Sequence, residues 1–294
     1  MRKLLTLLAT VAVVSFTGCG GSQPVQAQAS ETPVAAAFDV SSMANPEGKE
    51  AVAYLRGAYM DVATAKSKLE SAGYTVVAEY NVLKSGTTIL FTDDALKAEA
   101  AKPNRGFAAL ERLYVDDENK QITITNPVYF GKAYMQDDYN HAVFYKELQT
   151  ITNTFSGLTA SEDKLKFDDL AGYHFMMGMP YYKDMLEVGE GSDLLAKAKA
   201  YKGGKDVLFE LKLSDNATLI GYELEKRTTK FPKKIGLQNG LVLPYVVLIE
   251  NGKAKALDAK FYIALSYPLL TMGEFTTIAT VPGAIDSDLE KPFK

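Results

Sequence analysis

LPYVVLIENGKAKALDAKFYIALSYP, residues 243–268, decides how this chain is built. An apolar run of strand length leads into the polar turn Glu250-Asn251-Gly252-Lys253. A second strand follows, and an aromatic-rich segment closes the unit. Apolar runs bounded by turn residues read as paired strands. The pattern occurs earlier in divergent form: residues 113–135 read LYVDDENKQITITNPVYFGKAYM, with Asp116 to Asn119 as the turn.

The elements before each hairpin also match. VVAEYNV at 76–82 corresponds to VLFELKL at 207–213, and Thr87 to Phe91 corresponds to Thr218 to Tyr222. A short helix is expected over 93–102, capped by Thr92 and stopped by Pro103. Glu223 to Lys230, followed by Pro232, reads as its counterpart. A repeated order of elements at a fixed offset points to duplication. The expected fold is therefore α+β, with two homologous two-layer lobes, each a mostly antiparallel sheet packed against helices. The first repeat is expected over 47–136 and the second over 173–275, with a connector at 137–172 and an irregular tail at 276–294.

Further elements follow from spacing and punctuation. Val52, Leu55, Tyr59, Val62, Ala65 and Leu69 recur at intervals of three and four, which predicts a helix over 50–72, ended by Gly73. Pro180 suits the first turn of a helix, and Ser192 suits the cap of a helix over 193–202.

Residues 1–18 read as an address. Arg2 and Lys3 precede an apolar run, Leu4 to Phe16, that is shorter than the roughly 20 residues needed to span a bilayer. Phe16-Thr17-Gly18-Cys19 resembles the lipobox of bacterial lipoproteins, with Phe where Leu is usual. That resemblance implies diacylation of Cys19, which is the chain's single cysteine. The alternative is plain secretion, with cleavage at Ala27-Gln28-Ala29. Residues 19–46 are small and polar, and read as a flexible tether. No Asp follows Cys19, so by the lipoprotein sorting rule the anchor is expected in the outer membrane, facing the periplasm. The formal net charge is −4, which gives no general reason to bind nucleic acid. The later apolar runs are strand-sized.

Leu243-Pro244, Val246, Val247 and Ile249, the turn Glu250 to Lys253, and Asp258, Phe261 and Tyr262 together resemble a bacterial family, the domain of unknown function 302. The first copy keeps Asn126-Pro127 and Tyr129 but has Ala109-Leu110-Glu111 near the place of Leu-Pro. The second has Asp258-Ala259 in place of Asp-Pro. The resemblance covers about 60 residues of each half and implies a small two-layer α+β fold. It brings no catalytic residues with it.

Catalytic motifs are absent. There is no G-x-S-x-G elbow, no H-E-x-x-H, no phosphate-binding glycine loop and no G-x-G-x-x-G. The histidines are His141 and His174. The acidic groups Asp116-Asp117-Glu118 and Asp137-Asp138 read as solvated turn residues. A non-catalytic protein with no cofactor is expected, binding a small ligand or an envelope protein partner. One alternative carries chemistry: His174, Met176, Met177 and Met179 lie within six residues, with Met185 beyond. Thioether and imidazole suit Cu(I), so a copper site is the competing reading. The other reading is core packing, since Met fills irregular gaps well. Lys226, Arg227, Lys230, Lys233 and Lys234 form a basic cluster that either contacts anionic lipid phosphates or is a solvated face. The seventeen tyrosines are expected to cover the sheets or line a groove between lobes.

Overall fold

The computed structural model describes residues 49–294. The leader, Cys19 and the tether lie outside the described residues. In chain order the elements are β1 (Glu50–Val52), β2 (Tyr54–Ala58), α1 (Val62–Ser71), β3 (Thr75–Val82), β4 (Gly86–Thr92) and α2 (Asp94–Ala100). A 3-10 turn (Gly106–Ala109), β5 (Glu111–Asp116), β6 (Gln121–Thr125) and α3 (Pro127–Met135) complete a first lobe. Then come α4 (His141–Thr154), β7 (Thr159–Ala160) and β8 (Lys164–Lys166). The second lobe contains β9 (Leu186–Glu190), α5 (Leu194–Ala200), β10 (Val207–Ser214), β11 (Ala217–Tyr222) and α6 (Pro232–Ile235). It continues through a 3-10 turn (Leu237–Val242), β12 (Tyr245–Glu250), β13 (Lys253–Ala256) and α7 (Ala259–Ser266). The last helices are α8 (Met272–Thr277) and α9 (Val281–Glu290).

The fold is α+β, with antiparallel sheets packed against helices, as expected from the hairpins. One large sheet runs β3-β4-β5-β6-β2-β7 and a second β10-β11-β12-β13-β9, while β1 pairs with β8 in a small two-stranded sheet. Apart from the added β7, the strand order of the two large sheets is the same. The closing helices also start alike. Asn126 accepts from the Val128 N–H at 3.0 Å to begin α3, and Asp258 accepts from the Lys260 N–H at 2.8 Å to begin α7. Each side chain satisfies a backbone donor that the helix itself leaves free.

Several local expectations are corrected. Residues 50–58 form strands, and only Val62 onward is helical. Tyr54 and Leu55 are both fully buried, because β2 is covered on both faces, and this gives an apolar spacing that imitates a helix. A Cβ on Gly57 would lie 2.8 Å from Leu158 Cδ2, so any larger residue there would press on that side chain. Asp61 caps α1 by accepting from the Thr64 N–H at 2.8 Å. Asp93, not Thr92, caps α2, because the Thr92 hydroxyl donates to the Ala109 carbonyl instead. No helix follows Pro180. Ser192 caps nothing, and Asp193 precedes α5 without a side-chain cap. Pro232 begins a helix where it was expected to end one. The tail is helical: α9 carries Pro282 in its first turn and buries Ile285 and Leu289.

Every element and core residue named above lies within the described residues, which fall in one compact unit. A chain beginning at Met43 therefore carries the whole described fold. No helix among the described residues is long and apolar enough to cross a membrane.

Candidate functional site between the lobes

The two lobes exchange equivalent segments. The 3-10 turn Gly106–Ala109 of the first lobe lies on β11 and β12, while Leu237–Val242 of the second lies on β4, β5 and β6. The contacts mirror each other. A Cβ on Gly106 would stand 2.5 Å from Leu248 Cδ1, and one on Gly240 would stand 3.1 Å from Tyr114 Cζ. Tyr114 and Leu248 hold the same place in β5 and β12.

The registers place Tyr80, Thr88, Tyr114, Thr123, Arg56 and Thr159 opposite one another across six strands. Directly opposed residues share a face, so a polar row crosses the first sheet. In the second sheet the corresponding row is Leu211, Leu219, Leu248, Lys255 and Glu187. The rows differ at their centres, but each carries charge toward one end, as Arg56 in the first and Lys255 and Glu187 in the second.

Those ends line two clefts. The larger has a volume of about 570 Å³, with Arg56, Gln121, Ser161 and Asp163 on one side and Gln238, Tyr267 and Leu269 on the other. Arg56 holds its floor. One terminal nitrogen donates to Thr123 Oγ1 at 3.1 Å and to the Gln238 carbonyl at 3.4 Å. The other donates to Asp163 Oδ2 at 3.1 Å and Asn239 Oδ1 at 3.0 Å. Asn239 in turn donates to Asp163 Oδ1 at 3.3 Å and to the Ser266 carbonyl at 3.1 Å. Burial raises the Asp163 carboxyl above its ordinary range, and the Arg56 guanidinium opposes that rise.

The second cleft, of about 460 Å³, is lined by Asn104, Arg105, Tyr182, Lys183, Glu187 and Lys255 among others. Asn104 is gripped from three sides. Its N–H donates to Glu250 at 3.1 Å, its side-chain oxygen accepts from Lys255 Nζ at 2.5 Å, and its carbonyl accepts from the Tyr182 hydroxyl at 2.5 Å. A small cavity of about 20 Å³ is bordered by Tyr134, Tyr245, Tyr262 and Arg112. That is room for about one water. Arg112 donates to the Leu241 and Pro244 carbonyls at 2.8 and 2.9 Å, so a buried cation of one lobe holds the backbone of the other.

Tyrosines complete the joint. The last carbonyls of a helix have no partner within it. At the end of α7, the hydroxyls of Tyr173, Tyr129 and Tyr54 donate to the carbonyls of Ala264, Leu265 and Ser266 at 3.2, 2.9 and 2.7 Å.

The residues singled out in the sequence lie elsewhere. The segment carrying His174, Met176, Met177 and Met179 is a series of turns, not a helix. His174 is half-buried, with its ring 4.4 Å from that of Tyr181. Met177 is 95 % exposed, whereas Met179 packs against the core. Among the described residues no three His, Cys, Asp or Glu side chains converge as a metal site, although thioether ligands fall outside that set. Lys226, Arg227, Lys230, Lys233 and Lys234 are all exposed, and none forms an ion pair within the described residues. Neither histidine lines a cleft.

Arg56, Asp163, Asn239 and Arg112 were not singled out from sequence. The available signal was a charge inside an apolar strand, as in YLRGA and ERLYV. Asp163 and Asn239 gave none, because they act from irregular segments. The chain matches no family model, no curated protein and no solved structure. The resemblance to the domain of unknown function 302 therefore rests on the quoted residues alone.

Proposed function

We propose that this chain is a cell-envelope lipoprotein, acylated at Cys19 and held at the outer membrane facing the periplasm. In this reading it binds a small ligand or a protein partner in the larger inter-lobe cleft, without catalysis, and its two lobes arose by duplication. The observation that carries the proposal is the cleft of about 570 Å³ with walls from both lobes. Its charged floor is already engaged: Arg56 makes four hydrogen bonds, and Asp163 accepts on both oxygens. What faces the opening is amide and aliphatic surface, including Gln121, Gln238 and Leu269, with the exposed carboxylates Glu162 and Glu274 also lining it. Such groups orient a ligand, and of the two carboxylates Glu274 is already engaged by Thr271. The test is native mass spectrometry with metal analysis on a chain beginning at Met43, purified gently from the periplasm. A co-purifying molecule that is lost in Gln121→Ala and Gln238→Ala supports the cleft. A molecule retained by both variants sinks it.

Copper binding is the second reading, favoured by the exposure of Met177 and Met176 close in sequence to the half-buried His174. It requires one equivalent of Cu(I) to bind under reducing conditions and to be lost in a His174→Ala, Met177→Ala double variant. No binding by the parent chain ends it.

A further inference from the structure

Isolated exposed apolar side chains are ordinary, but contiguous ones mark contact surfaces. Among the described residues, Met176, Met177, Leu269 and Met272 are exposed by 40, 95, 54 and 48 %. They belong to two segments joined by one ring pair. Phe175, next to Met176, stacks on Phe275 with centroids 5.4 Å apart. Phe275 lies one turn beyond Met272 in α8, and Leu269 lies just before that helix. Two segments distant in sequence thus present one methionine- and leucine-rich tip.

The basic cluster borders this tip. Lys234 Nζ donates to the Thr277 carbonyl at the end of α8. Lys233 precedes it in α6, and Lys230, Arg227 and Lys226 lead back along the chain, all exposed. Glu223 feels the charge of Lys226, and the other local carboxylates are committed elsewhere. Glu274 closes the capping box with Thr271, and Glu225 pairs with Lys202 and Lys291.

We propose that Met176, Met177, Leu269 and Met272, together with Lys226, Arg227, Lys230, Lys233 and Lys234, form a docking surface for an anionic lipid bilayer. The apolar tip enters the boundary between headgroups and acyl chains, while the cations meet lipid phosphates. Charge complementarity selects this occupant: an apolar protein groove would explain the methionines and leave five unpaired cations without a role. A basic patch with apolar side chains is also the kind of second signal that strengthens a lipid anchor. The surface shares Leu269 with the rim of the larger cleft, but none of the residues substituted in its test lines that cleft, so its failure would leave that reading intact.

The test uses the chain beginning at Met43, which lacks Cys19, and vesicles of phosphatidylcholine with and without phosphatidylglycerol. Binding is expected to the anionic vesicles at low salt and to weaken as salt rises. Met177→Ser with Met272→Ser, and separately Lys233→Gln with Lys234→Gln, should each weaken it at least tenfold while leaving Tm unchanged. A Met177→Cys variant carrying an environment-sensitive fluorophore should shift to shorter wavelength on the same vesicles. No binding to anionic vesicles at low salt overturns the proposal and leaves the tip to a protein partner. Binding that survives both double variants, or an unshifted fluorophore in the bound state, also overturns it.

Discussion

Gly240 of the second lobe lies against the ring of Tyr114 in the first, so close that a Cβ on the glycine would stand 3.1 Å from Tyr114 Cζ. Gly106 repeats the relationship from the other side, against Leu248. Tight packing of each 3-10 turn on the opposite sheet is what fixes the lobes together. Leu248 is fully buried, so its methyl group cannot simply swing away. Gly106→Ala should therefore cost about 1–3 kcal/mol, the range for overpacking a filled core. Gly172→Ala, with nothing within 4 Å, should stay within about 0.5 kcal/mol. Urea unfolding of the two variants makes the comparison. Equal midpoints would mean that the interface is looser than this packing.

The tyrosine caps on α7 should not be equal in weight. The Leu265 carbonyl accepts from the Tyr129 hydroxyl, a buried bond between the lobes. The Ser266 carbonyl accepts from Tyr54 and keeps a second donor in Asn239. An acceptor left buried without a partner costs about 1–3 kcal/mol. Tyr129→Phe should reach that range, and Tyr54→Phe should fall below it. Thermal unfolding in one buffer decides the order, and a larger loss for Tyr54→Phe would contradict this account.

The hairpins were legible because they are local. A polar turn between two apolar runs needs no distant partner, and both hairpins lie where their turns placed them. The helices that follow, capped by Asn126 and Asp258, read in the sequence only as aromatic-rich segments. Residues 50–58 misled because β2 is buried on both faces, which erases the alternation that marks a strand. Pro232 and α9 misled because helix starts and turns use the same residues. The joint between the lobes was invisible for another reason. Arg56, Asp163 and Asn239 meet only after the fold forms, across |i−j| of 107 and 183 residues from Arg56.

The Arg56–Asp163 pair should behave as a partly buried ion pair, since its side chains are 19 and 11 % exposed. Removing one partner strands the other in a poor solvent, whereas replacing both with apolar groups removes that penalty. Arg56→Met alone should lose about 1–3 kcal/mol, below the cost of breaking a fully buried pair because solvent still reaches this one. Arg56→Met with Asp163→Leu should recover part of the loss. A double-mutant cycle in urea measures the coupling. Simple additivity would mean that Asn239 and the backbone, not the ion pair, hold the cleft floor.

Two buried carboxyls set the pH dependence of stability. Glu111 in β5 is raised to about 8, chiefly by burial, with Glu147 adding to the rise and the Thr125 hydroxyl opposing it. Glu147 in α4 is raised to about 7, again chiefly by burial, and accepts from the Tyr74 hydroxyl at 2.8 Å. Below the ordinary glutamate value of 4.5 these groups are protonated whether the chain is folded or not. Between that value and about 8 the folded chain keeps protons that the unfolded chain releases, so stability falls as pH rises. Asp286, raised to about 6 by burial, acts in the same direction. The lowered carboxyls Asp61, Asp94 and Glu274 are exposed, and their contribution is lost only on acidification below the ordinary carboxylate range. Tm should therefore be highest near pH 5 and decline toward pH 8, and Glu111→Gln should flatten the decline. A parent Tm that rises across this window would show that Glu111 and Glu147 ionise freely in the folded chain.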